Sequence, residues 1–300
     1  MTGLIGQHVE IAGRRSRLLR GGKPGAPAAI FLHGGIPGIT PFCSGAHMWG
    51  DSLQPFLAER DIIVPDLPGS GGTSLLVSQT KFEAFSQHVF ELLDALGISE
   101  CDVVGHDLGG LTGLLLGIEQ PARVRSLSVV ASQWSPPRGD GLDNLLLVSP
   151  PTPMWGRESQ AWALERLSYS HAHIDDALLD ACVKAGEGEA HQGAVKQMRE
   201  HYERTFSPGM GAARYRLWEV CRGDGFKVPT QIVWASHDPT ISREGGFVIY
   251  DVVARKQSAA HFHVINRAGN FPFREEPQAF HHVVSAFQNG VLQENARAAA

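Results

Sequence analysis

Short apolar runs alternate along the chain with longer segments whose apolar residues recur every three or four positions. The runs predict strands, which are "HVEIAGRRSRLLRGG" as an N-terminal hairpin, then "AAIFLHGG", "DIIVPDLPG", "CDVVGHD", "VRSLSVVAS", "TQIVWASHD" and "HFHVINRAGN". Helical spacing predicts helices in "KFEAFSQHVFELLDALG", "LGGLTGLLLGIEQP" and "PQAFHHVVSAFQNGV". Because alternating strands and helices are typical of βαβ units, we expect an α/β fold with a mostly parallel central sheet and helices on both faces.

The strand pattern stops between Trp134 and Val228, where tryptophan, proline and helix-forming residues dominate. We predict a helical cap or lid at 135–227, inserted between a first part of the core at 1–134 and a second part at 228–300. The insertion follows the strand after "GHDLGG", which places it at the carboxyl ends of parallel strands, where ligands bind in such sheets. The alternative is one more set of packing helices.

Composition narrows the range of partners. The 300 residues carry a formal net charge of −5 and no long basic run, so we expect no nucleic-acid partner. No uninterrupted apolar stretch approaches membrane-spanning length and the first residues resemble no signal peptide, so we expect a cytoplasmic protein without a membrane partner. The four cysteines lie far apart and form no CxxC pair, which predicts neither a metal site nor a disulfide framework. We also expect no cofactor.

The stretch "CDVVGHDLGGLTG" predicts a strand, a sharp glycine-rich turn and a helix, with Asp107 at the tip of the turn. A side chain at such a tip projects into the cleft at the end of the sheet. The amide of Leu108, at the start of the helix, could donate to an anion there, and a second amide from Gly35 or Ile36 would complete an oxyanion hole. The alternative is a glycine-rich turn in which Asp107 only caps the helix.

Four motifs together resemble those of the α/β-hydrolase superfamily over nearly the full length of the chain. They are "LHGGIPG", "DLPGSGGTS", "GHDLGG", and "WASHDP" followed by "RAGNFPFREEP". The resemblance implies the α/β-hydrolase fold with an inserted helical cap. It also implies that the turn of "GHDLGG" is a nucleophile elbow.

An aspartate at the elbow resembles the epoxide hydrolases and the haloalkane and fluoroacetate dehalogenases of that superfamily. A carboxylate can attack a saturated carbon and leave a covalent ester, which activated water then hydrolyses. The resemblance implies Asp107 as the nucleophile and a second acid that orients a histidine base. Asp238 follows the strand "QIVWAS" and fits that acid, although an Asp-Pro pair is also a common turn signal.

Asn270 stands where the superfamily motif has its histidine, and an amide cannot act as a general base near neutral pH. Three explanations stay open. Asn270 could be an engineered replacement that traps an ester. Another histidine could be the base, with His106, His33, His261 and His263 as candidates. The chain could instead have lost turnover, or perform lyase or hydratase chemistry.

Further residues are candidates for contact with substrate. His33 and His106 flank the turns that form the cleft, and Trp134 and Phe271 would contribute to an apolar pocket. The segment "GAARYRLW" resembles the end of the cap in epoxide hydrolases, which implies that Tyr215 polarises an epoxide oxygen, with Tyr169 or Tyr202 as a second tyrosine. An ordinary helical tyrosine is an equally good interpretation of each.

The leading prediction is a cofactor-independent hydrolase that acts on a small apolar epoxide or organohalide through an aspartyl ester. The loop "HGGIPG" resembles that of the meta-cleavage-product hydrolases. C–C bond or ester hydrolysis, or lyase chemistry with Asp107 as acid or base, is therefore a second hypothesis. A non-catalytic ligand binder is the third. The expected partner is a small-molecule substrate, and a homodimer stays an open alternative to the monomer.

Overall fold

The computed structural model describes residues 2–136 and 146–299. Each predicted strand is present. The strands are β1 (Thr2–Ile11), β2 (Arg14–Gly22), β3 (Ala28–Leu32), β4 (Asp61–Pro65), β5 (Cys101–His106), β6 (Val124–Val130), β7 (Thr230–Ala235) and β8 (Ala260–Ile265). They form one sheet in the order β1-β2-β4-β3-β5-β6-β7-β8. The β1–β2 and β2–β4 pairs are antiparallel and the others are parallel, so the predicted α/β-hydrolase fold is confirmed.

Helices connect the parallel strands. They are α1 (Glu83–Ala95), α2 (Leu108–Glu119), α3 (Arg157–Leu167), α4 (Asp176–Glu187), α5 (Glu189–His201), α6 (Ser207–Arg222), α7 (Arg243–Ala254), α8 (Pro272–Glu275) and α9 (Pro277–Ala299). A kinked 3-10 segment, Ala46–Ala58, precedes β4. The predicted helices correspond to α1, α2 and α9.

The central strands β3, β5, β6 and β7 are buried on both faces of the sheet. Side chains alternate along a strand, so Ile30 and Leu32 of β3 face one apolar cluster while Ala29 and Phe31 face another. The first cluster includes buried residues of α1, α2 and α7, and the second includes residues of Ala46–Ala58 and α9. This arrangement fixes the carboxyl ends of β3, β5 and β7, which carry the candidate site.

Between β6 and β7 the chain forms α3 to α6, as the helical spacing of that region predicts. Of these, α6 buries Met210 and Leu217 in the same cluster as α2, which is the packing of a core helix. The preceding helices contact the loops that follow β3 and β8. The division into 1–134, 135–227 and 228–300 stays a prediction, and residues 137–145 of the predicted cap lie outside the described residues.

A carboxylate connects α3 to the loop after β8. Glu275 Oε1 accepts a hydrogen bond from the amide of Gly269 at 2.8 Å, and its Oε2 accepts from the amides of Tyr169 and Ser170, each at 2.8 Å. The amide of Asn270 donates to the carbonyl of Leu167 at 2.7 Å. The C-terminal end of α3 is thus attached directly to the segment that carries Asn270.

Within the described residues, no helix is both long and apolar enough to cross a membrane.

Candidate active site

Asp107 lies at the junction of β5 and α2 with φ 50° and ψ −114°. A non-glycine residue in this region costs on the order of 1–3 kcal/mol, so the surrounding turn must hold it there. The turn is too tight for larger neighbours. A methyl group at Gly105 would lie 2.2 Å from the carbonyl oxygen of Gly109, and one at Gly109 would lie 2.3 Å from that of Leu32. The geometry is that of the predicted elbow.

The two oxygens of the Asp107 carboxyl have different surroundings. Oδ2 accepts a hydrogen bond from the amide of Gly35 at 2.8 Å, and the amide of Leu108 also bonds to the carboxyl. Oδ1 has no hydrogen-bond partner of good geometry among the described residues. The side chains of Gln133 and Trp134 nevertheless lie near enough to lower the pKa of Asp107.

Burial is the main influence on this carboxyl, since Asp107 is only 5% exposed. Burial raises the pKa of Asp107 to about 6, and the hydrogen bonds from Gly35 and Leu108 oppose that rise. The side chain can therefore exchange a proton near neutral pH and is ionised above that value.

The loop after β3 distinguishes the two predicted oxyanion donors. Gly35 has φ 80°, a conformation that favours glycine, and its amide points to Asp107. The amide of Ile36 instead donates to Thr40 Oγ1 at 2.7 Å. Gly35 and Leu108 are thus the two amides at the carboxyl, and Ile36 is turned away from it.

His33 supports this loop through both ring nitrogens. Its Nε2 accepts from the amide of Leu67 at 3.0 Å, so the proton is on Nδ1, which lies 2.8 Å from the carbonyl of Gly34. Burial lowers the pKa of His33. Since its one unprotonated nitrogen is already bonded, His33 has no free lone pair with which to act as a base.

Asp238 follows β7 and is partly buried. Oδ1 accepts from the amide of Thr240 at 2.9 Å and from Thr240 Oγ1 at 2.7 Å, and Oδ2 accepts from Asn270 Nδ2 at 3.2 Å. Burial raises the pKa of Asp238 to about 7, hydrogen bonds from Thr240 and Asn270 oppose the rise, and the charge of Asp107 adds to it. The turn and the acid interpretations of this residue are therefore compatible.

Asn270 is 3% exposed and lies between Asp238 and His106. His106 Nε2 is 2.8 Å from the carbonyl oxygen of Asn270 and 3.2 Å from its Oδ1, which makes that ring nitrogen the protonated one. Burial lowers the pKa of His106 to about 4, so the ring is neutral. The contacts at Oδ1 and Nδ2 assign the orientation of the amide.

Residues that the sequence did not identify complete the site. Thr240 bonds to Asp238 and also lies 3.3 Å from Asn270 Nδ2, and Ser132 Oγ donates to the carbonyl of Asp107. Thr240 could have been found from the motif "DPT", because an aspartate commonly accepts from the backbone two residues on. Ser132 follows β6 and carries no comparable signal.

The remaining candidates divide into two groups. Phe271 is buried with its ring 5.6 Å from that of His106, and Trp134 lies beside Asp107. Tyr215, in contrast, is 66% exposed on α6, and the structure does not bring it to the buried carboxyl. Tyr169 is half exposed, and Tyr202 has its ring against Phe206 rather than in this cluster.

His261 and His263 stack on each other in β8, opposite Gln231 and Val233 of β7. His261 packs against Phe287 of α9, so the pair lies at that helix and not at the elbow. No group of three or more histidine, cysteine or acidic residues in the described ranges is arranged to hold a metal ion.

The sequence model described as "Alpha/beta hydrolase family" matches residues 29–283. The 2-hydroxymuconate semialdehyde hydrolase of Pseudomonas sp. (strain CF600) is 25% identical over 285 residues, which cover 94% of this chain and 93% of that enzyme. Epoxide hydrolase 4 of Homo sapiens is 29% identical over 124 residues, which cover 41% of this chain and 32% of that protein.

A solved structure has the same fold. It is a mutant of the meta-cleavage product hydrolase from Pseudomonas fluorescens IP01, with a TM-score of 0.76 and 20% identity. The match covers 95% of this chain and 98% of that chain.

Proposed function

The chain belongs to the alpha/beta hydrolase family, and from that premise we propose that it acts on a small, largely apolar epoxide or organohalide through an ester on Asp107. The reaction needs no cofactor. Asp107 is the nucleophile, Gly35 and Leu108 are the oxyanion donors, and Asp238 is the second acid. The proposed cap, 135–227, contains α3 to α6.

The different contacts of the two Asp107 carboxyl oxygens are the main support for this proposal. Oδ1, which has no hydrogen bond of good geometry, attacks carbon, and the halide leaves with the electrons of the broken bond. Oδ2 becomes the ester carbonyl and stays at the amide of Gly35. When water later adds to that carbonyl, the negative charge develops on the atom that the Gly35 amide already contacts.

The halide branch needs no proton donor, whereas the oxygen of an opened epoxide takes up a proton. Tyr215, the proposed donor, is 66% exposed. The contacts around Asp107 therefore favour an organohalide over an epoxide.

Release of the product is the slow half of the proposed reaction. Asn270 cannot accept a proton from water, and the His106 Nε2 proton is donated to Asn270. Both ends of the Asn270 amide are bonded, which favours an asparagine that belongs to the site over an arbitrary replacement. We propose that the ester on Asp107 accumulates.

Mass spectrometry of the intact protein tests the proposal after incubation with a panel of haloalkanes and terminal epoxides. The expected product is one adduct per chain, with an added mass of the alkyl group less one hydrogen for a halide or of the whole molecule for an epoxide. Peptide mapping should locate it at Asp107, and Asp107→Asn should abolish it. Absence of an adduct, of halide and of diol across the panel would contradict the proposal.

One observation favours a second function. One relative that matches over nearly its full length is a 2-hydroxymuconate semialdehyde hydrolase. The pKa values of Asp107 and Asp238, about 6 and about 7, suit proton transfer near neutral pH. C–C bond hydrolysis or lyase chemistry would then use Asp107 as an acid or base. It predicts turnover of a vinylogous keto acid without an adduct. A non-catalytic binder would show neither an adduct nor turnover.

A further inference from the structure

We infer that Trp155 and Thr40 are positioning residues that set the direction of the Gly35 amide, so that the helical region between β6 and β7 assembles the oxyanion hole. The inference rests on the proposed function only in calling Gly35 an oxyanion donor. The contact between Gly35 and Asp107 is structural and can be measured without any substrate.

The first step is within the loop. Thr40 closes the turn that follows Gly35, because its Oγ1 accepts from the amide of Ile36 at 2.7 Å and its own amide donates to the carbonyl of Ile36 at 3.0 Å. The peptide that joins Gly35 to Ile36 is thereby held, which limits the rotation of the backbone at Gly35. The N–H of Gly35 belongs to the preceding peptide, between Gly34 and Gly35, and donates to Asp107 Oδ2.

The second step leads from the loop to the helical region. Trp155 Nε1 donates to the carbonyl oxygen of Thr40 at 2.9 Å. Trp155 has φ 66°, a conformation that is unfavourable for a bulky residue, so the fold holds this indole at a cost. The ring also packs edge-on against His191 of α5, with centroids 4.7 Å apart.

Other contacts fix the same loop from the same side. Gln160 of α3 is fully buried and accepts from the amide of Cys43 at 2.8 Å, while its Nε2 donates to the carbonyl of Trp155 at 3.0 Å. Ser159 Oγ donates to the carbonyl of Pro41 at 3.3 Å. The backbone of α5 approaches so closely that a methyl group at Gly38 would lie 2.7 Å from Val195 Cα.

The loop after β3 thus contacts the nucleophile on one side and α3 and α5 on the other. A hydrogen bond to the ionised form lowers the pKa of a carboxyl. Loosening Thr40 should therefore weaken the Gly35 bond and raise the pKa of Asp107. Asp238, His106 and His33 face the same region and are unchanged by a substitution at Thr40 or Trp155.

The experiment compares Thr40→Val, which removes the hydroxyl, with Thr40→Ser, which retains it. It also compares Trp155→Phe, which removes the indole N–H, with Trp162→Phe, a matched control whose ring stacks on Arg166 and not on the loop. The pKa of Asp107 is read from the ¹³C carboxyl signal of labelled aspartate, assigned by its loss in Asp107→Asn. Thermal unfolding confirms that each variant folds.

We expect Thr40→Val and Trp155→Phe to raise the pKa of Asp107 by about 0.5–1 unit, since one weakened charge-assisted hydrogen bond corresponds to a shift of this order. Thr40→Ser and Trp162→Phe should leave it unchanged. Equal titration curves for Thr40→Val, Trp155→Phe and the unsubstituted chain would overturn the inference. A shift without any adduct on Asp107 would uphold this inference and contradict the proposed function, so the two failures are distinguishable.

Discussion

Asn270 Nδ2 lies 3.2 Å from Asp238 Oδ2, while Oδ1 of the same amide lies 3.2 Å from His106 Nε2. Asp238 therefore contacts the Nδ2 end of the Asn270 amide, whose oxygen accepts a hydrogen bond from His106 on the opposite side. An amide in this position can orient neighbours but cannot remove a proton from water. The arrangement suits formation of an ester better than its hydrolysis.

Replacing Asn270 with histidine tests the missing base. We expect Asn270→His to raise steady-state turnover of an adduct-forming substrate by about 100-fold or more, because general base catalysis is worth roughly that factor. Occupancy of the adduct in intact-protein spectra should fall correspondingly. Asn270→Gln keeps an amide and serves as the control. A fall in turnover on introducing histidine would show that the asparagine belongs to the mechanism.

Adduct formation should depend on pH in one direction. The proposed attack by Asp107 requires its ionised form, and burial raises the pKa of Asp107 to about 6. The single-turnover rate of adduct formation should therefore rise from pH 5 to pH 7 and then level off. Rapid acid quenching followed by mass spectrometry measures it. A rate that is constant over this range would mean that ionisation of Asp107 does not limit the attack.

The stability of the fold should respond to the same carboxyl. The pKa of Asp107 is raised in the folded state from 3.8 to about 6, so the folded chain binds the proton more tightly than the unfolded chain. The contribution of Asp107 to the free energy of unfolding is therefore most favourable below its pKa in the unfolded chain. It is lost as the pH rises through about 6.

The substitution Asp107→Asn should remove the loss of stability that ionisation of Asp107 causes at high pH. We expect the variant to be more stable than the unsubstituted chain at pH 8 by about 1–3 kcal/mol and to show a smaller difference at pH 4.5. Urea unfolding at the two pH values measures it. An equal stability difference at both pH values would indicate that the Asp107 carboxyl does not cause the pH dependence of stability.

The elbow should reject even one methyl group. Gly109→Ala places a carbon 2.3 Å from the carbonyl oxygen of Leu32, and we expect a loss of about 1–3 kcal/mol or more from the free energy of unfolding. Gly193→Ala in α5 is the matched control, since its methyl group would meet no atom within 4 Å. A helical alanine there should be neutral or stabilising by up to about 1 kcal/mol. Thermal unfolding of both variants measures the difference. A Gly109→Ala variant as stable as the Gly193→Ala control would contradict this prediction.

Local patterns in the sequence were sufficient to predict the sheet and the elbow. The apolar runs predict every strand, and "GHDLGG" identifies the turn because glycines on both sides of an aspartate suit a backbone too crowded for larger residues. The site around Asp238 and Asn270 also follows from motifs, since both residues come directly after strands that end at the same edge of the sheet.

Other features depend on the orientations of backbone amides and side chains, which local sequence patterns do not predict. Gly35 and Ile36 are neighbours, and the orientations of two successive peptides decide that the amide of Gly35, and not that of Ile36, faces Asp107. The prediction for Tyr215 depended on a local resemblance, whereas its exposure is set by how α6 packs on α2. His33 and His106 differ from free histidines because a backbone group far away in sequence, the amide of Leu67 or the carbonyl of Asn270, contacts Nε2 of each ring.

The attachment of α3 at two places has a kinetic consequence. Its N-terminal half binds the loop after β3 through Gln160, and its C-terminal end is bound by Glu275 and by the amide of Asn270. A helix that is hydrogen-bonded to two separate loops cannot move away from the core as a rigid body unless the hydrogen bonds to both loops break. Opening of the helix away from these loops is therefore rarer than the breaking of either set of hydrogen bonds alone.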